Sequence, residues 1–137
     1  MPRILAIDYG TKKTGLAVSD PLQIIATGLD TIPTKDLYDF IEKYTSEEEV
    51  ETIVLGEPLH ADGNPAQIHH LVVGVKRKLE KRYPKMEVVF QDERYTSEEA
   101  KEIIRKSGLK KKKRKDKMLV DKVSAVLILQ DYMEINY

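Results

Sequence analysis

Apolar and polar positions alternate in two periods along the chain. Arg3 to Ile7 is nearly continuously apolar and stops at Asp8-Tyr9-Gly10. A short apolar run closed by turn residues predicts a central strand buried on both faces. After the Gly/Lys turn, Thr14 to Ser19 reads as its hairpin partner. Asp20-Pro21 makes the next turn, and Ile24 to Ile32 a third strand. The period then lengthens. Leu37, Phe40, Ile41 and Tyr44 share one face of a helix over 35–44, with Thr34 as its N-cap. Thr52 to Leu55 is a short buried strand, and the Gly/Pro/Asp/Asn-rich stretch Gly56 to Pro65 is a loop. Ile68, Leu71, Val72, Val75 and Leu79 predict a helix over 66–82, and Glu87 to Gln91 a fifth strand.

Thr96-Ser97-Glu98-Glu99 has the form of a capping box, and Ser107-Gly108 of a helix stop. A last helix is expected over 117–134. The order is three strands in a meander, then alternating helix and strand, then two helices. That predicts one α/β domain over residues 1–137, built on a mixed five-stranded sheet with helices on both faces. A crossover from the third strand to the fourth is right-handed if those strands are parallel.

Composition narrows the chemistry. The 137 residues include no Cys, which excludes disulfides, Cys-ligated zinc, iron–sulfur clusters and a cysteine nucleophile. No apolar run approaches the ~20 residues of a membrane span, and the N-terminus leads straight into a strand. A cytoplasmic protein without membrane contact is expected. Lys and Arg balance Asp and Glu at 23 each, yet the charge is uneven. Lys110, Lys111, Lys112, Lys113, Arg114, Lys115 and Lys117 surround a single Asp116, so this stretch carries +6 and the rest of the chain −6. A run of like charge repels itself, and phosphate is the obvious partner.

Several acids sit where open sheets place their sites, at the carboxyl edge. Asp8 closes the first strand, either as an Asx-turn residue before Gly10 or as a metal ligand. Gly10-Thr-Lys-Lys-Thr-Gly15 superficially resembles a phosphate loop. Leu16 and Ala17 stand where Lys and Ser/Thr belong, and a strand follows instead of a helix, so it is not one. Asp92 and Glu93 end the fifth strand just before a helix. Neighbouring strand residues point to opposite sides, so one of them faces the site while the other pairs with Arg94 or caps the turn. Asp121 shares a helix face with Ser124, Ala125 and Ile128. A carboxylate on that apolar stripe needs a cation or hydrogen bonds to offset burial. Three convergent acids without Cys or clustered His select a hard cation, Mg²⁺ or Mn²⁺, and two such ions can clamp a phosphodiester. His69 and His70 are given no ligand role, since neighbours on a helix do not face each other, and neither is His60, in the loop near the end of the fourth strand. Tyr95 beside Arg94 is placed to stack on a base.

Four segments, Asp8–Asp20, Gly56–Gly63, Asp92–Ser97 and Asp121–Ala125, together resemble the YqgF/RuvX family over nearly the whole chain. The resemblance implies an RNase H-like fold related to the RuvC resolvase. It also implies a nuclease acting on the 5′ end of pre-16S ribosomal RNA, an older proposal for the family being Holliday-junction resolution. Carried over by motif, Asp8 is the first-strand catalytic acid, Asp92-Glu93 the fifth-strand acidic motif and Asp121 the acid of the last helix. Asp8, Glu93 and Asp121 are then the metal ligands. Glu57 departs from the family, where many relatives carry an apolar residue. It competes with Glu93 as a ligand, although Pro58 restricts its backbone and favours a place on the rim.

The expectation is a metal-dependent nuclease on structured RNA, with Lys12, Lys13, Arg94 and the Lys110–Lys115 run contacting phosphates. Branched DNA is the rival substrate. Symmetric cutting would need a homodimer, and the sequence leaves monomer or dimer open. A non-catalytic RNA-binding assembly factor is the rival of another class.

Overall fold

The computed structural model describes residues 2–60, 62–93, 96–107 and 117–135. Arg94, Tyr95, the Gly108 stop and the basic run Lys110–Lys115 lie outside them. The strands are β1 (Arg3–Asp8), β2 (Lys13–Ser19), β3 (Ala26–Pro33), β4 (Val50–Glu57) and β5 (Glu87–Asp92). The helices are α1 (Leu37–Glu47), α2 (His69–Arg82), α3 (Thr96–Lys106) and α4 (Lys117–Ile135).

The strands form one sheet in the order β3-β2-β1-β4-β5. The first three pair antiparallel, while β1–β4 and β4–β5 pair parallel. Strand alternation sorts the sheet into two faces. Leu5, Ile7, Leu16, Ile53, Leu55 and Val88 pack against α1 and α2 through Leu37, Ile41, Val72, Val75 and Leu79. Ile4, Ala6, Ala17 and Val54 pack against Ala125, Ile128, Leu129 and Met133 of α4. The other side of α4 meets Ala100 and Ile104 of α3 through Val120, Val123 and Leu127. A helix covered on two sides needs apolar residues around most of its circumference, and the Leu119–Leu129 stretch of α4 supplies them. This is the expected mixed α/β architecture, with helices on both faces. No helix among the described residues is long and apolar enough to cross a membrane.

Two local expectations need correction. Thr34 does not cap α1 but opens a 3-10 turn (Thr34–Asp36). Its hydroxyl donates to the Gly10 carbonyl (2.6 Å) and meets the Thr14 hydroxyl at 2.8 Å, while its N–H donates to the Lys12 carbonyl (2.9 Å). A residue that looked like a local cap is thus taken up by the β1–β2 turn. The third strand begins at Ala26, not Ile24. The Asp20 carboxylate accepts the backbone N–H groups of Leu22, Ile24 and Ile25, which makes a loop of residues whose apolarity suggested strand. Leu22, Ile24 and Ile25 project from it into solvent.

Candidate active site

One row of positions crosses the sheet near the carboxyl end of β1. Thr31 pairs with Gly15, and Gly15 with Asp8. The β1–β4 register reaches Ile7 and Leu55, so Gly56 comes next to Asp8. Asp8 has the parity of Ile4 and Ala6 and so belongs to the α4 face.

The two glycines in this row make room for the site. A Cβ on Gly15 would lie 2.5 Å from the carbonyl carbon of Asp121. A Cβ on Gly56 would lie 2.6 Å from Glu93 Oε2 and 2.7 Å from Ile128 Cδ1. The helix therefore rests on β2 at Asp121, and the Glu93 carboxyl fills the hollow over β4. Gly15→Ala is expected to destabilise the fold by about 3 kcal/mol, because a backbone carbonyl cannot rotate away as a side chain can. Thermal unfolding of the variant checks this, and an unchanged midpoint would contradict the close approach.

Glu93 and Asp8 form the electrostatic centre. Burial, then the charge of Asp8, a hydrogen bond between the two side chains and the charge of Asp92 push the Glu93 carboxyl up to about 10. At neutral pH the two acids share a proton. Asp92 closes β5 in register with Glu57. Its charge is also felt by Asp131, whose carboxyl is raised by burial first and then by Glu99, Glu134 and Asp92. Of the two neighbouring acids, Glu93 is the one hydrogen-bonded to Asp8.

Asp121 is buried, one strand away from Asp8. Thr31 Oγ1 donates to the Met118 carbonyl (2.6 Å) and fixes the first turn of α4 over β3. Glu57 is placed elsewhere. Its Oε2 lies 2.9 Å from Nε2 of His69, whose ring tilts against Phe90 on the α2 face. The backbone carbonyl of Glu57 nevertheless accepts the N–H of Glu93 (3.2 Å). Sequence reasoning missed this Glu57–His69 pair, and nothing in the spacing of residues 57 and 69 signals it. It also missed the glycines as the space-makers, although each is a small residue at a sheet-facing position. Lys12 is exposed and Lys13 half-buried, on the turn that follows Asp8 and is pinned by Thr34.

The donor chemistry suits a hard cation. Asp8 and Glu93 offer carboxylate oxygens that already compete for one proton, the arrangement a divalent ion relieves. Among the described residues no three His, Asp or Glu side chains form a closed ligand group. Of the three expected ligands, Asp8 and Glu93 are hydrogen-bonded to each other.

Residues 2–135 match the model of the family described as "RuvX: Holliday junction resolvase". The chain is 47% identical to a Flavobacterium johnsoniae protein named "Putative pre-16S rRNA nuclease", over 97% of this chain and 96% of that one. Proteins of the same name from Bacteroides fragilis and Phocaeicola vulgatus are 48% and 49% identical over 98% of this chain, covering 97% and 96% of their own lengths. A family match over residues 2–135, with relatives close to half identical along almost the whole chain, makes this chain a member of the RuvX family.

Proposed function

We propose that the chain is a divalent-metal-dependent nuclease that hydrolyses phosphodiesters in structured RNA, a precursor of 16S ribosomal RNA being the substrate. The observation that carries this reading is the proton-sharing pair of Asp8 and Glu93 beside buried Asp121. Asp8, Glu93 and Asp121 would hold Mg²⁺ or Mn²⁺, and Asp92 would add negative potential from the strand end. When bound, such an ion supplies Lewis acidity toward a phosphoryl oxygen and makes water nucleophilic at neutral pH. Asp8 is central because its strand lies between those that carry Gly15 and Gly56. The turn bearing Lys12 and Lys13 follows Asp8 directly and is held in place by Thr34, so its cations are set to hold the nucleic-acid backbone without reading sequence. Arg94 and the run Lys110–Lys115 supply further cations in the sequence.

The experiment is cleavage of a pre-16S RNA fragment by the full chain. EDTA should abolish cleavage, and Mg²⁺ or Mn²⁺ should restore it. Cleavage that persists in EDTA would remove the metal from the reading. The family description favours a second substrate, the four-way DNA junction. Paired symmetric cuts need two copies of the chain, so a junction cut symmetrically by a protein with the solution mass of a dimer would favour that substrate over RNA.

A further inference from the structure

Ser124 is 1% exposed, and its hydroxyl has no hydrogen-bond partner among the described residues. A buried hydroxyl left in that state costs about 1–3 kcal/mol relative to one that is bonded.

Its place on α4 shows what it faces. Along one side of the helix three residues meet that row of strand positions, while Lys122 and Val126 on another side lie over Gly28 of β3. Met118 is tied to Thr31 on β3, Asp121 rests on Gly15 of β2, and Ile128 touches the hollow over Gly56 of β4. The strand between β2 and β4 is β1, and its residue in that row is Asp8. Ser124 lies three residues after Asp121 and four before Ile128, on the same helix stripe. It is therefore the polar residue of the segment that passes over β1, between the acid of the helix and the hollow that holds the Glu93 carboxyl. Hard cations accept neutral hydroxyl oxygens beside carboxylates, as when a Ser or Thr hydroxyl binds Mg²⁺ at a phosphate loop.

We propose that the Ser124 hydroxyl is a further oxygen donor to the divalent cation held by Asp8, Glu93 and Asp121. This rests on the cation reading given above. The bound ion would give this hydroxyl the partner that no described residue supplies.

The test compares the native chain with Ser124→Ala, which removes the oxygen, and Ser124→Cys, which keeps the size but substitutes a soft sulfur. Mn²⁺ affinity is measured by titration calorimetry and thermal unfolding with and without Mn²⁺, so no nuclease assay is involved. In the metal-free state both variants should be as stable as the native chain or more stable, since no bond is lost. Their Mn²⁺ affinity should fall about 10-fold or more, with a smaller Mn²⁺-induced rise in midpoint. Unchanged Mn²⁺ affinity in Ser124→Ala overturns the proposal. So does a metal-free Ser124→Ala that is clearly less stable than the native chain, because the hydroxyl would then have a structural partner. If the native chain itself binds no Mn²⁺, the cation reading fails and the Ser124 proposal fails with it. Native binding with unaltered variants removes Ser124 alone.

Discussion

Asp8→Asn should bind structured RNA at least as tightly as the native chain and cleave it slower by a factor on the order of 10³, equivalent to about 4 kcal/mol of lost transition-state stabilisation. The substitution keeps the size of the side chain and an oxygen that can accept the proton of Glu93, so the pair still closes and the fold is retained. It removes the charge that a cation needs at the centre of the row. Binding holds or improves because one negative charge near phosphate is gone. Single-turnover cleavage and RNA affinity, measured on the same preparation, separate the two effects. Native-like cleavage by Asp8→Asn would end the nuclease reading and leave an RNA-binding protein whose acids perform no chemistry.

Glu93→Gln should make the metal-free protein more stable, and by more at higher pH. The Glu93 carboxyl is raised on folding from 4.5 to about 10, chiefly by burial and by Asp8. The folded chain then binds that proton more tightly than the unfolded chain. Stability is unaffected below the ordinary glutamate value and declines as pH climbs from there toward the folded value. Gln donates to Asp8 without needing a proton, so it removes the decline. The gain should be near zero at pH 4 and on the order of 3 kcal/mol at pH 7. Denaturant unfolding at both pH values, in EDTA, measures it. Adding Mn²⁺ should reverse the order, stabilising the native chain and leaving the variant little changed. A gain that is flat with pH would mean that the two acids do not share a proton.

The sheet, its helices and the acids of the edge were legible because each is written in a local pattern. The unbroken apolar run of β1, the alternation along the later strands and the stripe on α4 are periodic signals that tertiary contacts reinforce. Asp121 stood out in the sequence because a carboxylate broke that stripe, and its burial agrees. Interactions between distant residues were not legible. Thr34 offered a cap and was claimed by Gly10, 24 residues away. Ile24 and Ile25 had strand composition, yet Asp20 took their backbone donors first. Glu57 stood next to the right strand end, but its carboxylate turned to His69 on the opposite face. In each case a polar side chain chose a partner that no spacing rule names.

The acids of the site come from opposite ends of the chain, Asp8 from the first strand and Asp121 from the last helix. A chain that folds as it is synthesised, from its amino end, can pair β1 with β2 early, and can bring Glu93 to Asp8 once β5 has joined the sheet. Asp121 arrives only when α4 has left the ribosome and settled on Gly15 and Gly56. The contacts of α4 with the sheet are therefore also those that bring Asp121 to β2. A growing chain carries an acid pair holding its own proton, and the third acid joins it only after the rest of the domain can fold.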